Sequence, residues 1–501
     1  ERHVRPDGVY FEQSSYYHRH TTDFYTHFLI LSRANGEPVE SQLEKKLTAL
    51  LDHLMYITRP DGTAPLFGDD DGGRLLMLDE RASNDFRAPL STGAALFNRP
   101  DYKYVAGEVA EETLWLLGRD GLKAFDRLDA QPPAHDSFAF PDGGYYVMRD
   151  GWSREANYLL VDCGPHGSLS NAHAHADALA FDLAARGRTL LVDPGTYTYT
   201  GSAELRDYFR SSAAHNTLTV DGESSSVPAG PFSWKHVARA SKHVWTSQQR
   251  FDYFEGSHDG YERLPAPARH TRSMLFIKGD YWIMLDRVAS TGAHRYDLHF
   301  HFAEGAAPAV ERDDGATALR ERMEGASGLE IFAFGGEWHE ENGWVSHCYR
   351  ERTAAPVLIF STEAAGVQEF VAFLIPRRAL DARAQVRQVE ATGGKAFEVL
   401  CEETRDLVLM GDGHLIETAS LTSDFAWARA RFARETSVLE ELVLISGRRL
   451  SLNGLEIFNS SEHLNYLVAR RMGDDLLVES ETVRDLRLPL VDGEAQVANL
   501  R

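Results

Sequence analysis

Apolar positions along the chain fall into two regimes. Over residues 1–130 they recur at helical spacing. Leu43, Leu47, Leu50, Leu51 and Leu54 share one helical face after a polar start at Glu40 and Ser41. Residues 23–34 are apolar nearly all round, with Phe24, Phe28, Leu29, Ile30 and Leu31, a pattern that predicts a helix buried on every side. A third helix is predicted over 101–118, carrying Val105, Val109, Leu114, Leu116 and Leu117. Turn-rich stretches separate them, Arg59-Pro60-Asp61-Gly62 and Gly68-Asp69-Asp70-Asp71-Gly72-Gly73. The aspartate run reads as a solvated loop, since it lacks the alternating acidic ligands and closing Glu of a calcium-binding EF-hand.

The pattern changes at Gln131-Pro132-Pro133, which reads as a linker. Short apolar runs of strand type follow at 144–148, 158–163, 179–183, 189–192 and 217–220. They continue at 273–277, 281–285, 296–302, 357–360 and 369–374. Regular turn signals separate them and no long helical pattern intervenes, so residues 136–388 are predicted to form a large antiparallel β-sandwich. Shorter runs such as 407–410 and 438–445 predict a smaller C-terminal β-domain over 389–501. The fold class expected is therefore α+β and multidomain, a helical part over 1–130 followed by two β-domains.

Length agrees, because 501 residues exceed one ordinary core. No run of 18 apolar residues exists, which excludes a membrane-spanning helix. The chain opens Glu1-Arg2-His3 with no apolar signal core, as a chain with a processed export signal also would. Cys163, Cys348 and Cys401 are scattered, which excludes a disulfide scaffold and a CxxC metal site. A formal net charge of −23 argues against a nucleic-acid partner, and a polyanionic substrate would need a local basic groove.

The densest polar cluster is Asn171-Ala172-His173-Ala174-His175-Ala176-Asp177. On an extended chain His173, His175 and Asp177 share one face and the alanines the other. Such a pair of imidazoles reads either as metal ligands or as hydrogen-bonded structural histidines. Asp193 ends an apolar run before Pro194-Gly195, and Arg206, Tyr208, Arg210, His215 and Asn216 follow. One ligand from each of three segments is how a β-scaffold builds a metal site; taken singly, Asp193 reads as a turn cap and His215 as a core histidine. Near the N-terminus, Tyr16, Tyr17, His18, Arg19 and His20 read either as a cleft wall or as aromatic packing at a helix start.

Together these segments resemble the heparinase II/III family of polysaccharide lyases. The Asp-Gly…Phe-Glu-x-Ser-x-x-Tyr-His stretch from Asp7 to His18 is similar to the family's catalytic tyrosine segment. The succession HxHxD, Asp193-Pro194-Gly195 and Arg210 to Asn216 is similar to its β-domain signature. The resemblance implies an (α/α) toroid followed by antiparallel β-domains. The helices here are fewer than a whole toroid needs, so the chain is expected to begin part-way through it, with the carboxylate-neutralising Asn or His upstream. It implies a divalent metal on His175, Asp193 and His215, zinc first and manganese or calcium as alternatives. It implies catalytic roles for Tyr17, with Tyr16 as the register alternative, and for His173. Asp177 and Asn171 are then the expected supports of the histidines.

The implied reaction is β-elimination at a uronic acid of an acidic poly- or oligosaccharide, glycosaminoglycan or alginate-like. A base removes the C5 proton and an acid assists the departing O4. Tyr17 could do both on one face if a cation such as Arg19 lowered its pKa, and His173 could be the base on the other. Arg19, Arg74, Arg206, Arg210 and Tyr197 are the substrate-gripping candidates, with structural roles as the alternative. A bacterial periplasmic or secreted setting is expected, a cytoplasmic one being the alternative. The competing functions are a non-catalytic carbohydrate-binding protein and a metal-assisted glycan hydrolase.

Overall fold

The computed structural model describes residues 3–78, 80–167, 170–313, 316–321, 328–378, 383–473, 475–482, 486–491, 494–495 and 498–500. The chain forms two compact units. The first spans Glu1–Glu311 and Leu319–Ala379 and so holds both the helices and the first β-region.

Five helices open it: α1 (Ser15–Ala34), α2 (Ser41–Ile57), α3 (Arg87–Phe97), α4 (Pro100–Ala106) and α5 (Glu111–Arg127). α2 follows its apolar period, burying Leu47, Leu50, Leu51 and Leu54. α1 reverses expectation. Its buried face is mainly polar, with His18, Arg19, Thr22, Asp23 and Thr26 beside Leu29, while Phe24, Phe28 and Leu31 are 51%, 57% and 62% exposed. Part of this polar face is paired: Arg19 lies 3.5 Å from Asp23 and 3.4 Å from Glu112 of α5, and Thr22 donates to the His18 carbonyl at 2.9 Å. Residues 101–118 are not one helix either. Gly107, at φ 72°, ends α4, and α5 starts at Glu111, is broken by a kink at Gly118 (φ 63°) and ends at Arg127. α3 has no clean apolar period, because Ser91 and Thr92 face inward and bond the Thr113 hydroxyl at 2.8 and 3.1 Å.

The linker over 131–133 leads into an antiparallel sheet whose strands lie in sequence order: β1 (Phe138–Phe140), β2 (Tyr145–Arg149), β3 (Tyr158–Asp162), β4 (Phe181–Ala185) and β5 (Arg188–Leu191). This sheet is a middle layer. Tyr145, Val147, Tyr158 and Leu160 pack with Leu54, Ile57 and Leu90 of the helices. The alternate residues Tyr146, Met148, Leu159 and Val161 pack with Phe254, Met274, Trp282 and Phe300 of a larger sheet. Burial on both faces explains why these strands read as continuous apolar runs.

In the larger sheet the strands Ala240–Ser247, Phe251–His258, Ala268–Ile277, Tyr281–His301, Glu351–Arg377 and Gly328–Phe334 are neighbours in that order. The runs at 281–285 and 296–302 are one strand with an irregularity between Ala289 and Ala293, and those at 357–360 and 369–374 are likewise one strand. β6 (Leu218–Val220) pairs with Tyr281–His301 after the short helix α6 (Ala203–Phe209).

The second unit, Arg312–Ala318 and Leu380–Arg501, is built on antiparallel strands. Gln385–Val389, Lys395–Leu400, Thr404–Met410, Trp427–Ala433, Leu439–Leu452, Leu455–Met472 and Asp475–Ser480 lie in sequence order around Leu409, Phe425, Leu444 and Leu467. Among the described residues no helix is long and apolar enough to cross a membrane.

Candidate active site and metal centre

The connection from β3 to β4, the turn after β5 and the segment from α6 to β6 meet against the α2–α3 connection. His175, Asp193 and His215 converge there, one ligand atom from each lying within 4.8 Å of the others. All three are buried. The hydrogen bonds assign the ring nitrogens. His175 Nε2 donates to Asp69 Oδ1 at 3.0 Å, and His215 Nδ1 donates to the Ser211 carbonyl at 2.7 Å. The remaining lone pairs, on His175 Nδ1 and His215 Nε2, therefore face each other at 3.3 Å. Asp193 Oδ1 accepts the Gly195 amide at 2.9 Å, while the buried Oδ2 accepts nothing and lies 3.5 Å from His215 Nε2. Burial pushes the Asp193 carboxyl well above the usual carboxylate range and both imidazoles below theirs. Two facing lone pairs and an orphaned carboxylate oxygen are a donor set that fits a divalent cation.

The HxH segment is not a strand. Asn171 sits at φ 55°, the chain turns, and the two imidazoles part company: His175 is fully buried and the His173 side chain is 24% exposed. Both nonetheless reach the same carboxylate. Asp69 Oδ2 lies 3.2 Å from His173 Nδ1, and the Arg206 guanidinium forks onto both Asp69 oxygens. The aspartate run is thus not a solvated loop, for Asp69 and Asp70 are 0% and 2% exposed. Gly68 makes the inward turn. At φ 66° a Cβ there would meet the carbonyl oxygens of Gln13 at 2.6 Å and His173 at 2.9 Å.

On the open side of His173 stands Tyr17, with ring centroids 4.7 Å apart and edge-on. Ser14 caps α1 by accepting the Tyr17 amide at 3.0 Å, which fixes the helix start below this ring. The Tyr17 hydroxyl lies 2.6 Å from that of Tyr199. Burial holds the Tyr17 phenol above its ordinary value, Asp71 and Asp69 add to this, and the Tyr199 hydrogen bond works against it. Tyr16, one position earlier, is 2% exposed and packs edge-on against Phe86 in the helical core.

The remaining sequence candidates make the following contacts. Arg19 is buried against Asp23 and Glu112, because a residue two places beyond Tyr17 on a helix points to the opposite side. Arg206 is spent on Asp69 and on the Pro231 carbonyl at 3.0 Å. Arg210 is spent on Asp207 and on the Gly230 and Pro231 carbonyls, beneath the Trp234 ring. Each is 1% exposed. Arg74 donates to the Arg81 and Ala82 carbonyls at 3.2 and 3.0 Å. Tyr197 stacks on Phe209 at 5.6 Å under Arg352, and Tyr199, two residues on, takes the place beside Tyr17. Asp177 is not the carboxylate that His175 meets; it is buried near Asp162, and Asp69 has that role. Asn171 contributes its carbonyl, which accepts the Trp234 indole N–H at 2.8 Å.

Sequence reasoning missed Asp69 and Tyr199. The one available signal for Asp69 was the preceding glycine in an aspartate run, and nothing local marked Tyr199.

The family model described as Heparinase II/III-like, C-terminal, matches residues 132–389. The heparin-sulfate lyase of Pedobacter heparinus is 24% identical over 393 residues, covering 75% of this chain and 52% of that protein. The heparin-sulfate lyase of Bacteroides thetaiotaomicron is 24% identical over 331 residues, covering 62% and 42%. The crystal structure of the heparan sulfate lyase HepC from Pedobacter heparinus shares the fold at a TM-score of 0.64 and 23% identity, over 82% of this chain and 60% of that one. A heparinase III crystal structure does so at 0.62 and 18%, over 83% and 61%. The chain spans about half the length of the curated relatives it matches. Matched by that model over more than half of its residues, the chain belongs to the heparinase II/III-like family.

Proposed function

We propose that the chain carries the elimination site of a polysaccharide lyase acting on a uronic-acid-containing glycosaminoglycan, with helices α1–α5 as part of an (α/α) toroid. The observation that carries this reading is the pairing of Tyr17 with His173, ring against ring at 4.7 Å, on the exposed side of a buried donor set that fits a metal. His173 donates its Nδ1–H to Asp69 Oδ2 at 3.2 Å, which leaves the lone pair on Nε2 as the basic site. That nitrogen takes the proton at C5 of the uronate. Tyr17, kept protonated by its buried setting, gives its proton to the departing O4, and Tyr199 holds the phenol in line. The relatives' names, heparin-sulfate lyase, support a sulfated glycosaminoglycan as the substrate class.

Zinc is the metal we assign to His175, Asp193 and His215, on the strength of two imidazoles and one carboxylate. When bound, it joins three separate chain segments and supplies positive charge beside the cleft.

Incubation with heparan sulfate, heparin, hyaluronan and alginate, followed in the ultraviolet, tests the reading. An unsaturated uronate on newly formed non-reducing ends is expected. New reducing ends without that absorbance would mean hydrolysis, and an intact, retained polymer would mean binding alone.

A further inference from the structure

We propose that Asp69 is a positioning residue that couples cation binding at His175 to the orientation of His173. The catalytic half of this inference rests on the lyase reading above, while the metal half stands by itself.

The Asp69 carboxylate is completely buried and accepts four hydrogen bonds from three side chains. Oδ1 takes His175 Nε2 and Oδ2 takes His173 Nδ1, so one carboxylate selects opposite tautomers in two histidines two residues apart. At His175 the lone pair is left on Nδ1, toward Asp193 and His215. At His173 it is left on Nε2, away from Asp69. The Arg206 fork holds the carboxylate plane from behind and balances its charge. The main chain of the same residue ties in the rest of the site. Its amide donates to the His173 carbonyl at 2.9 Å, and its carbonyl accepts the Ser14 hydroxyl at 2.6 Å, the same hydroxyl that caps Tyr17.

A cation drawing on His175 Nδ1 polarises the Nε2–H bond and increases its demand on Oδ1. Because the carboxylate cannot turn against the Arg206 fork, that demand is felt at Oδ2 and therefore at His173. Coupling of this kind is reciprocal, so a change at His173 must alter cation affinity through Asp69. A carboxylate relieved of one donor is a stronger acceptor for the other, so loss of His173 should tighten the cation.

The test is a double-mutant cycle read as zinc affinity, with zinc alone as the probe, on the full chain as parent, D69N, H173A and D69N/H173A. D69N is expected to weaken zinc about 10- to 100-fold. H173A is expected to tighten it about threefold or more in the parent background and by under ~1.5-fold in the D69N background. On the polymer the parent degrades, D69N should lower kcat about 10- to 100-fold with KM changed less than ~3-fold, since the residue touches no substrate. Equal effects of H173A in the two backgrounds, or a parent that binds no zinc, overturn the proposal. If D69N fails to fold, H173A in the parent background still decides, because an unchanged zinc affinity there excludes coupling. A parent that binds zinc but yields no unsaturated uronate defeats the lyase reading and leaves the zinc cycle to stand or fall separately.

Discussion

The hydroxyl oxygens of Tyr17 and Tyr199 lie 2.6 Å apart although 182 positions separate them in the chain. One belongs to the first turn of α1 and the other to the segment after β5, so the cleft is assembled across the boundary between the helices and the middle sheet.

That contact gives the first prediction. Tyr17→Phe should lower turnover by at least ~10²-fold, since it removes a general acid. It should move the thermal midpoint only a few degrees, because one hydrogen bond contributes about 1 kcal/mol. Tyr199→Phe should cost about five- to tenfold in kcat, the loss of one orienting hydrogen bond. Steady-state kinetics and calorimetry on both variants check this, and parent-like turnover by Tyr17→Phe would move the acid elsewhere.

The metal centre gives the second. His175→Ala and His215→Ala should each lose a stoichiometric divalent ion and melt earlier, as should the chelator-treated parent, with zinc restoring the midpoint. His173→Ala should keep the ion at saturating zinc and most of the stability yet lose turnover. Elemental analysis and melting curves, run side by side, decide whether the two histidines have these roles or the reverse.

The third concerns acid. His18 accepts the Tyr10 amide at Nδ1 and donates to the Leu50 carbonyl at Nε2, so both nitrogens are committed as neutral imidazole. Burial pushes its pKa down to about 4 from 6.5, against the Leu50 hydrogen bond. Between those values the unfolded chain binds the extra proton. Stability from this residue is therefore complete above pH 6.5 and lost as the pH falls toward 4, by on the order of 3 kcal/mol. His18→Gln should flatten that part of the stability–pH curve, measured by urea denaturation; an unchanged slope would show that His18 is not the group responsible.

The fourth concerns the scaffold behind the metal loops. Arg272 is fully buried and forks onto Asp286 at 2.7 and 3.1 Å. Its Nη1 donates to the Leu179 and Asn216 carbonyls at 2.6 and 2.8 Å. Arg272→Met leaves a buried carboxylate and two carbonyls short of donors and should cost about 3–5 kcal/mol. Denaturant unfolding checks this, and a loss below ~1 kcal/mol would mean that water replaces the guanidinium.

Local sequence carried much of the architecture. The leucine spacing of α2 set its buried face, and the apolar runs at 144–148, 158–163 and 189–192 became the strands Tyr145–Arg149, Tyr158–Asp162 and Arg188–Leu191, because period and burial are properties of neighbouring residues. The convergence of His175, Asp193 and His215 was legible through the resemblance of their three segments in order, since taken singly Asp193 and His215 read as a turn cap and a core histidine.

What local pattern could not carry was decided by partners far away. α1 buries Arg19 and Asp23 and exposes Phe24, Phe28 and Leu31; Arg19 pairs with Glu112 on α5, and no periodicity reports that ion pair. Asp69 reads in sequence as one of three solvated aspartates, and becomes a buried hub only when His173, His175 and Arg206, more than 100 positions later, supply donors for its charge. The same carboxylate holds the Arg206 fork. Hydrophobic spacing is set by adjacent residues, whereas burying a charge depends on a distant opposite charge, and only the tertiary structure brings the two together.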